Sequence, residues 1–144
     1  MAIAVCGGSF KEGKGASAWV LEGEGGKSSN RMVGRNIVPG HAEDQSAYRS
    51  ELAGILGVVS IVKELVKYYE IEEGHVTIGC NNISALDIAF DLDQEIHANI
   101  LDYDMVTAIR AAISNNTITW STEHISSHQE MRRKSGWPLH AWNG

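Results

Sequence analysis

Apolar and polar residues along this chain follow two periods, and the switch between them marks the elements. The longest helical pattern runs over 45–69. Within it Leu52, Ile55, Leu56, Val59, Val62, Leu65, Val66 and Tyr69 recur at three- and four-residue intervals, the stripe of a helix lying on a core. Ser46 or Asp44 can cap its start, and Pro39-Gly40 closes the segment before it. Glu51 stands one position ahead of the stripe, at the edge of the buried face. Gly54 and Gly57 each weaken such a helix by about 1 kcal/mol relative to Ala. Their presence predicts close approach to a neighbouring strand or helix.

Shorter runs flank this helix. Residues 2–6 predict a buried strand ended by Gly7-Gly8-Ser9, followed by a turn over 11–15 and a second strand over 16–21. A glycine-rich turn over 23–29 leads to a third strand over 31–38, completing an antiparallel meander. Beyond the helix, 75–80 predicts another strand, ended by Asn81-Asn82. Ser84 then caps a short helix over 85–90, and a polar connection follows over 91–97. An amphipathic helix over 103–114 carries Met105, Val106, Ile109 and Ile113 on one face, and a last strand covers 117–125. From Ser126 onward the chain is polar, then Trp-rich, with little period. In the order βββ-α-β-α-α-β, the fourth strand pairs in parallel with the first through a crossover.

Composition adds boundaries. The chain of 144 residues fits one domain with a real core. No apolar run approaches the ~20 residues that span a bilayer, so no membrane partner is expected. The opening Met1-Ala2-Ile3-Ala4 lacks the basic start of a secretory leader. Cys6 and Cys80 make no disulfide framework, which points to an intracellular setting. The net charge of −6 gives no overall attraction to nucleic acid. Binding of that kind would need local basic groups such as Arg31/Arg35 or Arg132-Arg133-Lys134.

The topology brings Gly7, Glu51 and Asn81 to one end of the sheet, with room for a contributor from the C-terminal stretch. A phosphodiester hydrolase would place carboxylates at all four points, because two Mg²⁺ ions need hard oxygen ligands. Gly7-Gly8-Ser9-Phe10, Arg49-Ser50-Glu51-Leu52, Cys80-Asn81-Asn82 with Ser84-Ala85-Leu86, His128-Gln129 and Leu139-His140-Ala141-Trp142 carry a resemblance. They resemble the ribonuclease H family, and within it the domains attached to retroelement reverse transcriptases. The resemblance runs from about Ile3 to Asn143, with the family's final helix cut short. It implies an α/β fold: a five-stranded mixed sheet in 3-2-1-4-5 order with helices on both faces. It also implies cleavage of the RNA strand of RNA:DNA hybrids with Mg²⁺ or Mn²⁺.

The family places acids at the positions of Gly7, Glu51, Asn81 and His140, with Glu130 a rival for the fourth; here only Glu51 is an acid. Asn81 offers a neutral carbonyl beside Glu51, Gly7 offers no side chain, and His140 suits Zn²⁺ or Mn²⁺ better than Mg²⁺. Impaired catalysis is therefore expected. His128 matches a histidine thought to assist proton transfer, or is a loop residue without a task. Ser9, Gln45, Asn82 and Ser84 fall where the family contacts its hybrid, though each also reads as a capping or turn residue.

Three alternatives stay open. The chain can be a non-catalytic, connection-type binding module of a larger polyprotein, with Trp137 and Trp142 forming a partner contact. Glu51, His140 and Glu130 can instead hold a single Mn²⁺ and give slow cleavage. A zinc site on Cys6 and Cys80 is allowed by count but poor in geometry, since strand alternation turns both away from Gly7 and Asn81.

Overall fold

A computed structural model describes residues 1–23, 30–114 and 117–125. Its elements are β1 (Ala2–Lys11), β2 (Lys14–Gly23), β3 (Arg31–Ile37), a 3₁₀ turn (Ala42–Asp44), α1 (Ala47–Tyr68), β4 (Gly74–Cys80), α2 (Ile83–Phe90), α3 (Tyr103–Ser114) and β5 (Ile118–His124). The strands form one sheet in the order β3-β2-β1-β4-β5. β1 pairs antiparallel with β2 and parallel with β4, and β4 pairs parallel with β5. The expected sheet order and mixed character are both present.

β1 is longer than the sequence suggests. Gly7-Gly8-Ser9 continues the strand, with Gly7 opposite Ala18 and Gly8 opposite Ser17. The reversal is the two-residue loop Glu12-Gly13, both at positive φ (53° and 79°), a backbone that matches the twist of a hairpin. Gly8 serves close approach. A Cβ there would lie 2.3 Å from the carbonyl carbon of Ser50 and 2.6 Å from the nitrogen of Glu51. The glycine thus lets the start of α1 rest on the strand instead of ending it.

Ser46 caps α1, its Oγ accepting from Arg49 N–H at 2.9 Å. Asp44 belongs to the preceding turn and accepts from His41 N–H at 3.0 Å. The buried stripe of α1 includes Leu52, Ile55, Val58, Val59 and Val62, and each such side chain contributes about 1.5–3 kcal/mol. Tyr69 leaves the expected stripe: the helix ends at Tyr68, the chain turns at Glu70 with φ 51°, and Tyr69 is 66% exposed. The two helix glycines meet what their presence predicts. A Cβ on Gly54 would press on Cys6 and the Gly7 backbone, and one on Gly57 on the Trp19 indole.

α1 lies across β1 and β2 and packs against α3. Ala4, Cys6, Trp19, Leu21, Ile78 and Cys80 from the sheet join α1, α2 and α3 in one core cluster. Arg110 of α3 fastens the connection after α2, donating to the carbonyls of Ile88, Asp91 and Gln94 at 2.8–3.0 Å. The expected truncated final helix falls within 126–144, outside the described residues. Among the described residues no helix is long and apolar enough to cross a membrane.

Candidate active site

The middle of β1, at Gly7 and Gly8, and the end of β4 meet beneath the first turns of α1, and Glu51 reaches down between them. Its Oε1 accepts from Gly8 N–H at 3.2 Å, and its Oε2 accepts from the Cys80 thiol at 3.2 Å. The residue is only 7% exposed. Burial pushes its carboxyl above the usual range, and the bonds from Cys80 and Gly8 only partly oppose that rise. Glu51 is thus held between two neutral donors.

Cys80 is the partner that sequence reasoning missed. Cys6 and Cys80 do pack under α1 in the core, one residue before Gly7 and Asn81. Alternation was expected to keep both apart from the catalytic positions, yet Glu51 descends on that same α1 side and meets the Cys80 thiol. The Cys6 thiol donates to the Gly79 carbonyl at 3.7 Å, and the neighbouring Cys80 thiol together with burial pushes it well above the usual thiol range. Both cysteines are free and buried.

The other expected residues divide. Gly7 sits buried in β1 above Gly54. Asn81 is exposed just past β4, and its carbonyl accepts from His124 Nε2 at 3.0 Å. Asn82, not Ser84, caps the short helix: its Oδ1 accepts from Ala85 N–H at 2.9 Å, so α2 begins at Ile83 and Ser84 is an exposed residue of its first turn. Ser9 is exposed on β1. Gln45 spends its amide on the carbonyls of Val38, Pro39 and Gly40 at 3.1–3.5 Å, which ties the approach to α1 in place. His128, Glu130, His140, Trp137 and Trp142 lie outside the described residues.

Arg49, two residues before Glu51, holds the helix start from the other side. It donates to Asp102 Oδ1 at 2.9 Å, to both carboxylate oxygens of Asp104 at 2.8–2.9 Å, and to the Pro39 carbonyl at 2.7 Å. Those carboxylates, Asp104 first, hold its guanidinium above its ordinary pKa. In the sequence Asp102 and Asp104 stand more than fifty positions away, so no local spacing announces this cluster.

The donor set can be weighed against the two divalent ions that the resemblance implies. Such ions take several oxygen ligands, with carboxylates to balance their charge. Between β1 and β4 the carboxylate is that of Glu51, and both its oxygens already accept protein hydrogen bonds. Among the described residues no group of three or more His, Cys, Asp or Glu could hold a metal ion. These residues do not fit a two-Mg²⁺ centre.

No protein-family model matches the sequence, and no curated protein does. Solved structures do match. LC11-RNase H1, determined in complex with an RNA/DNA hybrid, superposes with a TM-score of 0.69 at 10% identity, covering 92% of this chain and 90% of its own. RNase H1 from the halophilic archaeon Halobacterium salinarum gives 0.53 at 14% identity over 91% and 89%. The PFV RNase H domain gives 0.54 at 11% identity over 96% and 83%. With its five-stranded mixed sheet and these superpositions over nearly the whole chain, this chain has the ribonuclease H-like fold.

Proposed function

We propose that this chain is a ribonuclease H-type domain that binds RNA:DNA hybrids and whose own hydrolytic centre is disabled. The observation that carries the reading is the buried Glu51 carboxyl, held by Gly8 N–H and Cys80 S–H beside Gly7 in the middle of β1 and Asn81 just past β4. The fold supports the hybrid as ligand, since LC11-RNase H1 was determined with one bound. Exposed Ser9 and Ser84, with Asn82 at the start of α2, provide small polar groups of the kind that contact 2′-hydroxyls and phosphates. With Gly7 and Asn81 uncharged, two sources of phosphate repulsion are gone from the cleft, so loss of cleavage does not entail loss of binding. The domain belongs, in this reading, to a larger retroelement polyprotein and works inside the cell.

The test has two arms. Binding of a labelled RNA:DNA hybrid is measured across salt concentrations, and cleavage of the same hybrid is followed with Mg²⁺ or Mn²⁺. The chain is compared with a version carrying Gly7→Asp, Asn81→Asp and His140→Asp. The expected result is salt-sensitive binding by both and cutting only by the restored chain. Cutting by the unaltered chain would overturn the disabled-centre reading. Absence of hybrid binding would overturn the ligand and favour a connection-type module that contacts protein.

A further inference from the structure

We infer that His124 is a positioning residue for the candidate hybrid-binding turn, acting through the carbonyl of Asn81. The inference rests on the hybrid-binding reading for its functional consequence, while its geometry stands apart from it. β5 runs parallel to β4 with Cys80 opposite His124, so the imidazole falls beside the point where β4 gives way to α2. A carbonyl can only accept, so the 3.0 Å contact requires the proton on Nε2. That fixes the ring's tautomer and orientation.

The same turn is pinned twice more. Ile125 N–H donates to the Cys80 carbonyl at 2.9 Å, and Asn82 Oδ1 accepts from Ala85 N–H at 2.9 Å. Residues 80, 81 and 82 are thus each held by a different partner, and two of those partners come from the end of β5. The bond at Cys80 is a backbone one from just past the end of β5 and needs no particular side chain. The bond at Asn81 is not, because it depends on one side chain. Without it the Asn81 carbonyl loses that side-chain partner between the two remaining anchors, and the turn leading into Asn82 loosens. Turn geometry, not charge, is what His124 supplies.

Two substitutions separate this role from general destabilisation. Gln carries its amide nitrogen near the place of Nε2 and can still donate to Asn81; Asn carries it near the place of Nδ1 and cannot reach. Expected for His124→Asn is hybrid binding weakened about threefold, the scale of one modest hydrogen bond, with His124→Gln close to the unaltered chain. Equal affinity for Asn and Gln variants would overturn the inference. So would an imidazole ¹⁵N spectrum showing the neutral ring protonated on Nδ1. If the unaltered chain binds no hybrid, the functional reading fails while the geometry is still read by hydrogen exchange at Ala85 N–H. Faster exchange in His124→Asn but not in His124→Gln supports the positioning role, and equal exchange in both overturns it.

Discussion

Arg49 and Glu51 stand two residues apart at the start of α1, 3% and 7% exposed, and the protein treats their charges in opposite ways. Arg49 is met by two carboxylates and a carbonyl, so its cation stays in place although buried. Glu51 is met by an amide and a thiol, neither of them charged, and burial lifts its carboxyl toward the neutral form. Built-in counter-charges favour the charged form of a buried group, and burial without them disfavours it. In a ribonuclease H-type centre the counter-charge to the carboxylates is metal. At Glu51 the described surroundings provide hydrogen bonds from Gly8 N–H and the Cys80 thiol, which tie the start of α1 to β1 and β4.

The largest expected effect is on the Arg49 side. Arg49→Met leaves Asp102, whose side chain is 4% exposed, without its counter-charge. The expected loss is about 3–5 kcal/mol, read as a lowered denaturation midpoint in urea. If the midpoint hardly moves, the contrast between the two residues collapses.

Next comes Gly8→Ala. The new Cβ would meet backbone atoms of Ser50 and Glu51, not a flexible side chain, so strand or helix must shift. A loss of about 1–3 kcal/mol is expected, and thermal unfolding measures it.

Glu51→Gln sharpens the comparison from the other side. An amide can accept from Gly8 N–H through its oxygen and donate to Cys80 Sγ through its nitrogen, so both contacts persist without a charge to desolvate. For Glu51 itself the sign runs downward with pH. Its folded pKa lies above the ordinary value of 4.5, so the stability it adds is full below that value and lost as pH rises through the folded one. The variant should therefore be at least as stable at neutral pH and lack that decline. A variant clearly less stable at pH 7.5 would mean that Glu51 is held ionised by a cation.

The smallest effect belongs to Asp104→Asn. The Asp104 side chain is 66% exposed, and an ion pair so open to water contributes below about 1 kcal/mol. Its pKa is lowered by the hydrogen bonds from Arg49. The stability it gives is present above the ordinary value of 3.8 and lost as pH falls through the folded one. Acid titration of unfolding in 0.1 M and 1 M salt should show the difference shrinking as salt rises.

What the sequence by itself determined is the scaffold. Side-chain period is a local property, so the strands, the long helix and the amphipathic helix Tyr103–Ser114 were legible, and the crossover rule set β4 beside β1, while the full sheet order came from the family resemblance. The convergence of Glu51 on Gly7-Gly8 and the end of β4 followed from the pairing of β1 with β4. Local chemistry misled where one residue type serves two purposes. Gly7-Gly8 read as a strand end because glycine usually breaks strands, whereas Gly8 is there to admit the backbone of Ser50 and Glu51. Ser84 read as a cap, but Asn82 comes first and takes the bond.

Only the tertiary structure decided the partners. Arg49 finds Asp102 and Asp104, Glu51 finds the Cys80 thiol, and His124 finds the Asn81 carbonyl, across separations of 29 to 55 positions. Such contacts depend on helix placement to within an ångström, because hydrogen bonds act over a range shorter than one residue's rise. Periodicity fixes which face a side chain takes. It does not fix which atom waits there.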